Sequence, residues 1–548
     1  MTASQPSYDV VIVGAGPVGL FLSLDLARRG HDVAVVERRA TPYPLPRAVH
    51  YDFEIARAFA AVGLADDLAK ITQPASTYDW QNAEGKTLLH FDWSGVGPTG
   101  WPMATMFSQP DLEAVLLSHA VAAGVTVLRG SAVDGLSQDE ETVRLALQDG
   151  AELDARYVVG CDGARSFVRE HLALPAHELG FAFDWLVVDL KPRDDFTWTY
   201  PLNLQICDPA RPTTAVAGGP GRRRFEFMRL PDESVADLER ADRVWELVQP
   251  WGLNPTNAEL ERAVVYRFEA CWAERWREGR VFIAGDAAHR MPPFAGQGMC
   301  SGIRDASNLG WKLDLVLRGV AGDDLLDTYD TERIAHLQSA IEQSVALGGV
   351  ICVTDPEAVE ARDTAMLAGG GDPAVVLPPV APPTLGPGLT HRTTGSPAPS
   401  AGTLAFQPTV QTPEGRVGLW DDVLGSCFDL IGTINLHELL GEDRVTDLDR
   451  LGVRLTTVVP AGAPVPEGAV GDIDDVLLPH LREMAHDVVA VRPDGYLYGA
   501  VAASEAVDLV DGLRAGLRAG LRGLEAGLGA SLEVDLKARL GAAGAPVG

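Results

Sequence analysis

Residues 8–37 constrain this chain more than any other stretch. Tyr8 to Val13 is a short apolar run, Gly14-Ala15-Gly16-Pro17-Val18-Gly19 follows, and Leu20, Leu22, Leu24, Leu26 and Ala27 carry a helical pattern that ends at Gly30. A second apolar run, Val33 to Val36, ends in Glu37. Strand, G-x-G-x-x-G, helix, strand, acid is the order of a dinucleotide-binding βαβ unit. Gly14 permits the tight turn, Gly16 lets the backbone approach a pyrophosphate, and Gly19 lets helix and strand pack closely. Glu37 is placed to accept hydrogen bonds from an adenosine ribose, with Arg38 beside it. Whether the dinucleotide is FAD or NAD, this unit alone leaves open.

A second anchor lies at Arg280 to Leu317. Val281-Phe282-Ile283 reads as a strand, Gly285-Asp286 follows, and a Pro/Gly-rich loop leads through Gly296 and Gly298-Met299 into a long amphipathic helix. A strand that runs through glycines into a helix N-terminus suits an anionic or electron-rich group. Between the two anchors stand further signals. Pro46-Arg47-Ala48-Val49-His50 precedes an expected helix over 52–59. Arg47 is either a phosphate contact or a solvated loop charge. Gln109 opens another helix, with Asp111 and Glu113 in its first turn. A strand over 156–159 runs into Cys161-Asp162-Gly163-Ala164-Arg165-Ser166, a second phosphate-facing turn.

The ordered set Gly14-x-Gly16-x-x-Gly19, Asp162-Gly163 and Gly285-Asp286 resembles the three fingerprints of the group A flavoprotein aromatic hydroxylases, single-component FAD monooxygenases related to p-hydroxybenzoate hydroxylase. The segments Trp185 to Asp189, Arg222 to Met228, Met291 to Asp305 and Asp421 to Gly425 are similar to the 3-(3-hydroxyphenyl)propionate hydroxylase branch. The likeness is strongest over 8–320 and weaker in the C-terminal third. It implies tightly but non-covalently bound FAD, transient NADH or NADPH, and dioxygen as co-substrate. The implied reaction is hydroxylation of a phenolic ring through a flavin C4a-hydroperoxide.

The resemblance also assigns roles. Gly14, Ala15, Gly16, Pro17 and Gly19 form the first fingerprint; Glu37 is the ribose acid; Arg47 and Gln109 match FAD-contacting residues; and Val133 sits where backbone touches adenine. Asp162 and Gly163 lie near the pyrophosphate, Gly285-Asp286 holds the ribityl chain, and Gly296, Gly298 and Met299 meet the flavin pyrimidine edge. Pro293 matches a proline whose carbonyl faces the substrate hydroxyl, and His50 is either a proton-handling group or a packed histidine.

The implied fold class is α/β. A Rossmann-like FAD-binding domain (1–179 and 271–368) is interrupted by an antiparallel-sheet substrate domain (180–270, with a contribution from 73–100). A linker (369–402) leads to a thioredoxin-like C-terminal domain (403–540) without C-x-x-C. Short alternating segments over 184–190, 202–207, 213–216, 224–230 and 262–268, broken by Pro/Gly/Asp turns, support the sheet. The run Arg222-Arg223-Arg224 is either a carboxylate grip or a solvated turn. Of Trp185, Phe225, Phe227, Tyr266 and Phe268, most are expected in the sheet core and one or two on a pocket wall. Farther on, a helix over 324–350 with an extension through 365, strands over 424–431, 454–459, 487–491 and 496–501, and a terminal helix over 512–529 are expected.

Length and charge set the remaining bounds. A chain of 548 residues exceeds one ordinary domain. Its net charge of −31 argues against nucleic acid or an anionic membrane as partner and leaves a small aromatic substrate, with a homodimer as a compatible assembly. Six scattered cysteines fit a reducing cytoplasm and give neither a disulfide framework nor a zinc site. No His/Cys cluster has metal spacing, so no metal is expected. Three other readings stay open: epoxidation, Baeyer–Villiger oxidation or hydroxylation of a polycyclic natural product, a flavin dehydrogenase or disulfide reductase, and a flavin-binding redox sensor. The missing C-x-x-C and the lack of a second nucleotide unit weigh against the dehydrogenase.

Overall fold

The computed structural model of the chain describes residues 7–45, 47–377, 384–393 and 396–519. Its first sheet is assembled from segments far apart in sequence. Ser7–Val13 lies at the centre, with Val33–Glu37 on one side and Glu152–Gly160 on the other, all parallel. Thr126–Arg129 extends the first flank and Val281–Ile283 the second, again in parallel. Their central stretches, 10–13, 33–36 and 158–159, are all Val, Ile or Ala, as strands buried on both faces require. Pro17–Arg28 covers one face, starting on a proline at its first position. Gly298–Leu317 packs beside it and is buried along most of its length. The expected helix after His50 forms at Phe53–Ala61, with Asp52 as its cap. Pro46 lies outside the described residues.

The second sheet has eight strands. In spatial order they are His289–Arg290, Ala258–Ala273, Ala176–Pro192, Arg223–Met228, Thr213–Ala217, Leu204–Cys207, Thr77–Asn82 and Thr87–Asp92. All neighbours are antiparallel except Leu204–Cys207 beside Thr77–Asn82. The period of two sorts its side chains. Leu186, Val188, Phe225, Phe227 and Ala215 share an apolar core with Val244 and Val248 of helix Ala241–Val248. The opposite face carries Trp185, Val187 and Asp189, paired across the register with Met228, Glu226 and Arg224. That face meets the first sheet's unit: Phe294 packs edge-on against Trp185 at 5.5 Å, and Val216 joins a cluster with Val49 and Trp93.

The C-terminal sheet has seven strands. Phe428–Gly432 runs parallel to Val453–Pro460 and antiparallel to Val488–Val491, which pairs antiparallel with Leu497–Val501. Helix Ala506–Ala519 follows, and 520–529 of the expected terminal helix lie outside the described residues. Three departures from the sequence reading stand out. Leu424 closes a short helix, Trp420–Leu424, so the expected strand starts only at Phe428. Strands Thr409–Gln411, Val417–Leu419 and Ala469–Asp472 were not foreseen. The helix expected over 324–350 is Thr328–Ile351, and its extension is a separate helix, Pro356–Ala368, capped by Asp355. A proline at the first helical position starts a helix well and continues one badly.

Residues 384–389 dock onto helix Thr328–Ile351. Gly386 N–H donates to the Glu332 carbonyl (2.9 Å) and Leu389 N–H to its carboxylate (2.7 Å). Among the described residues no single helix is long and apolar enough to cross a membrane.

Candidate flavin site

The three glycine motifs converge at the N-terminus of the first helix. Gly14 has φ +111°, and a Cβ there would sit 2.4 Å from the Cys161 carbonyl oxygen, so the first and second motifs are in backbone contact. A Cβ on Gly302, in the long helix, would lie 2.6 Å from Val18 Cγ2 and 3.1 Å from Gly285 Cα, which brings the third motif to the same place. Gly16 differs from these. No protein atom lies within 4 Å of a Cβ built on it, so packing within the chain does not demand glycine there. Gly163, with φ +84°, is open in the same way.

Polar groups around this point are oriented but not exhausted. Glu37 accepts from Ala15 N–H (3.0 Å) and Arg39 N–H (2.8 Å), which holds the carboxylate at the end of its strand beside the glycine turn. Asp162 accepts from Val168 N–H through Oδ2 (3.2 Å), and its Oδ1 is buried without a hydrogen-bond partner among the described residues. Burial raises the Asp162 pKa. An open glycine cradle at a helix start fits a phosphate, and the unsatisfied Asp162 oxygen, an acceptor, fits a sugar hydroxyl. Asp286 is exposed in the turn Gly285–Ala287. Gly285 N–H donates to Asp305 Oδ2 (3.0 Å), whose carboxylate also binds His289 Nε2 (2.8 Å) and Arg333 Nε (2.9 Å). This buried triad fixes the turn that presents Asp286.

Gln109 acts through the Arg47 loop. Its Oε1 accepts from Arg47 N–H (3.1 Å) and Ala48 N–H (2.7 Å), while its amide donates to Glu113 (2.7 Å). Arg224 donates to the Arg47 carbonyl from the second sheet. The Arg47 guanidinium is exposed and lies 4.8 Å from the Tyr43 ring, which also carries Arg39 at 4.7 Å. Arg38 is exposed, and Val133 is buried at the start of strand Val133–Gln138.

The loop before the long helix closes the site. Pro293 carbonyl accepts from Gly296 N–H (2.8 Å), and Gly296 adopts φ +65°. A Cβ on Gly296 would lie 2.7 Å from His50 Nδ1, so His50 packs directly on this loop. Gly298 and Met299 open the helix. Gln297, just before them, donates to Asp52 Oδ2 (3.1 Å) and accepts from Arg304 Nη1 (2.7 Å). Burial would raise the Asp52 pKa, but Arg304 and His50 together hold it below the usual carboxylate range. Burial pushes the His50 pKa down, partly opposed by Asp52. His50 stacks on Trp93 at 5.7 Å, Trp93 meets Tyr78 at 5.3 Å, and Tyr78 hydroxyl donates to Gln205 Oε1 (3.3 Å). A continuous wall therefore runs from the loop to the second sheet.

The three arginines 222–224 are neither a free grip nor a solvated turn. Arg222 pairs with Asp111 (3.0 Å) and Glu261 (3.3 Å). Arg223 donates to the Leu202 carbonyl (2.8 Å) and lies over Trp198. Arg224 is buried and bidentate to Asp189 at 2.7 and 3.0 Å. Of the aromatic residues, Phe225 and Phe227 belong to the far core, while Trp185 and Phe268 line the near face against Phe294. The sequence reading missed Glu226. It is buried on that near face, across the register from Thr214, whose hydroxyl donates to Gln205 (2.7 Å). Burial raises its pKa against the pull of Arg224. Asp52, Arg304 and Asp305 were missed as well, although Arg304 and Asp305 close the Met291–Asp305 motif.

Known proteins share this arrangement. Residues 7–344 match the FAD binding domain family, and 402–516 match the HcaD C-terminal domain. A probable NADH-specific resorcinol 4-hydroxylase from Rhodococcus jostii is 36% identical over 525 residues, covering 92% of this chain and 94% of that protein. A 3-(3-hydroxy-phenyl)propionate/3-hydroxycinnamic acid hydroxylase from Mycolicibacterium smegmatis is 35% identical over 540 residues, covering 93% of each. The crystal structure of aklavinone-11 hydroxylase with FAD and aklavinone superposes with a TM-score of 0.74 at 27% identity, covering 93% of this chain and 98% of that one. With its three glycine motifs gathered at one helix start and its likeness to these enzymes running nearly end to end, the chain belongs to the FAD-binding-domain family of flavin-dependent aromatic monooxygenases.

Proposed function

We propose that the protein is an FAD-dependent, NAD(P)H-consuming monooxygenase that hydroxylates a phenolic ring of the resorcinol or 3-hydroxyphenylpropionate type. The observation that carries this is the convergence of Gly14–Gly19, Asp162-Gly163 and Gly285-Asp286 beside a loop whose far side is the His50–Trp93–Tyr78 wall. Bound FAD supplies hydride acceptance and dioxygen activation. The chain supplies the rest. Gly16 and Gly163 admit the pyrophosphate, Glu37 takes the ribose, Asp286 the ribityl hydroxyls, and the Arg47 loop, held by Gln109, a phosphate. Val133 backbone lies toward adenine. The first N–H groups of helix Gly298–Leu317 have no partner within the helix and offer a positive end to the flavin pyrimidine edge. His50, kept neutral at neutral pH by burial, accepts the phenol proton, and the Pro293 carbonyl orients the hydroxyl. The Glu226–Thr214–Gln205 row positions the far end of the ring.

The relative names favour NADH as reductant. The strand pattern of the C-terminal unit, with Phe428–Gly432 between a parallel and an antiparallel neighbour and a hairpin leading to the last helix, supports a thioredoxin-like domain over 403–540. Strands Thr77–Asn82 and Thr87–Asp92 support a substrate domain of 180–270 completed by 73–100, set into a flavin domain of 1–179 and 271–368. Six unpaired cysteines agree with a reducing cytoplasm. The likeness to aklavinone-11 hydroxylase favours one alternative, the same chemistry on a polycyclic ring.

The test is a product screen with labelled dioxygen over resorcinol, 3-(3-hydroxyphenyl)propionate, 3-hydroxycinnamate and a polycyclic phenol. Incorporation of one labelled oxygen into a monocyclic phenol, with stoichiometric NADH use, is expected. NADH oxidation that yields only peroxide with every phenol would sink the reading.

A further inference from the structure

A cavity of about 540 Å³ lies in the C-terminal unit, away from the glycine motifs. Its floor is one face of the C-terminal sheet, where two register rows, Ile431–Val489–Ala500 and Asp429–Val491–Leu497, lie side by side. The other face of the same strands is covered by helix Ala506–Ala519, whose Leu509, Val510 and Leu513 share a core with Leu430, Val488 and Ala490. On the cavity side the short helix Leu477–Glu483, the segment around Phe406 and the start of helix Trp420–Leu424 line the space over the floor, with Arg57 reaching in from helix Phe53–Ala61. Leu477 and Leu481 form the roof, and the exposed Met484 lies at the rim. The volume falls in the range of small-molecule sites, and apolar walls with few polar groups are the lining such sites use.

The charges in the lining indicate what fits. Arg57 is bidentate to Asp421 at 2.7 and 3.2 Å and also donates to the Ala405 carbonyl (3.0 Å). Asp429 accepts from Trp420 Nε1 (3.0 Å) and from Arg454 Nη2 (2.7 Å). Arg492 is held by Glu332 (2.8 Å) and Asp494 (2.6 Å). Every ion in the wall therefore has its counter-ion inside the protein. An added charge would lose its water and gain no partner, as any buried unpaired ion does. Burial lowers the His486 pKa, which disfavours a compensating cation there, and the His480 ring packs edge-on to Phe406 at 5.0 Å. Phe406, Trp420 and the Met484 thioether supply faces and a soft edge for a ring.

We propose that this cavity is a second small-molecule site, separate from the flavin site, for an uncharged aromatic ligand of one or two rings. It needs no flavin chemistry, so it stands or falls independently of the monooxygenase reading.

The experiment is a calorimetric titration of the full-length, FAD-loaded protein with 2-naphthol, repeated with 2-naphthoate. Two variants fill the cavity from opposite sides: A500W from the floor and L481W from the roof. The wild type is expected to take one more equivalent of 2-naphthol than either variant, with affinity at the extra site reduced at least tenfold by filling. The extra equivalent should be absent with 2-naphthoate. Flavin absorbance and phenol-stimulated NADH oxidation report that each variant is folded. Equal stoichiometry in the wild type and in whichever variant retains flavin would overturn the proposal, and so would an extra site that takes the anion as tightly as the alcohol.

Discussion

Gly14 and Gly16 are both glycine for different reasons, and the difference separates scaffold from ligand contact. Gly14 is fixed by its φ of +111° and by the Cys161 carbonyl, which leaves no room for a Cβ. Gly16 has neither constraint, so its role is read toward the cofactor. The role proposed for Asp286 is of the second kind: it is exposed, and the Asp305–His289–Arg333 triad behind it fixes the turn that carries it. Asp286→Ala should raise the FAD dissociation constant about ten- to hundredfold, the worth of a charged hydrogen bond. Flavin retained through gel filtration at wild-type occupancy would contradict the ribityl role. His50→Ala should cut hydroxylation about a hundredfold at neutral pH, the usual scale of a lost general base, and turn NADH consumption toward peroxide. Unchanged coupling would reduce His50 to packing. Glu226→Gln keeps the shape of a buried side chain and removes its ability to ionise. It should change KM and selectivity among phenols while leaving flavin content intact, and unaltered selectivity would place Glu226 outside the substrate wall.

At the scale of elements, the contact between the first helix and the long helix sets the geometry of the site. Gly302 faces Val18, whose branched side chain has one preferred rotamer in a helix, and the backbone of Gly285. Gly302→Val should force the two helices apart, cost about 1–3 kcal/mol of stability and loosen FAD together. Loss of thermal stability with undiminished flavin affinity would show that the helix contact and the site are independent. The same helix explains what the sequence hid. Its apolar spacing predicts an amphipathic helix, but Asp305, Asn308 and Lys312 look like a solvent face and are buried. Spacing cannot distinguish a charge that meets water from one that meets a partner 20 or 200 residues away. The second sheet was legible as strands because short β-prone segments such as Trp185 to Leu190 are broken by Pro/Gly/Asp turns such as Asp208-Pro209 and Gly218 to Gly221. Both of its faces are covered, however, so a strand's period of two shows which residues share a face without showing which face meets the site. That is why Glu226 escaped notice while the neighbouring Arg222–Arg224 run attracted a functional reading. The short strands at Thr409–Gln411 and Val417–Leu419 were illegible for a simpler reason, since each has only three residues.

Across the whole molecule, the C-terminal unit is tied to the flavin-site helices by buried ions. Glu332, on the long helix Thr328–Ile351, accepts from Lys312 Nζ (2.8 Å), Asn308 Nδ2 (2.8 Å) and both terminal nitrogens of Arg492 (3.0 and 2.8 Å). Asp494, beside Arg492, accepts in turn from Trp311 Nε1 (3.1 Å). Tyr496 hydroxyl donates to Glu54 (2.6 Å), which also binds Arg304, and Arg304 holds Gln297, so a second link runs from the same turn to the loop before helix Gly298–Leu317. Burial alone would raise the Glu332 pKa, but Arg492 and Lys312 outweigh it and hold the carboxyl at about 2, below its ordinary 4.5. A carboxylate depressed on folding stabilises the native state fully above its unfolded pKa, and the contribution is lost as pH falls through the folded one. Glu332 thus contributes at neutral pH and loses its contribution between about 4.5 and about 2. Lys312 works the other way: burial lowers its pKa to about 8, so keeping it charged at neutral pH is a cost that lessens as pH rises from there toward 10.5. Glu332→Gln leaves two buried cations without their carboxylate and should destabilise the protein at pH 7 by about 3–5 kcal/mol, the usual result of breaking a buried pair from one side. The measurement is the urea midpoint of wild type and variant across pH. The gap between them should be widest near neutrality and close as pH falls from 4.5 toward 2. A gap that stayed constant over that window would mean that Glu332 holds the two units together by shape and hydrogen bonding rather than by charge.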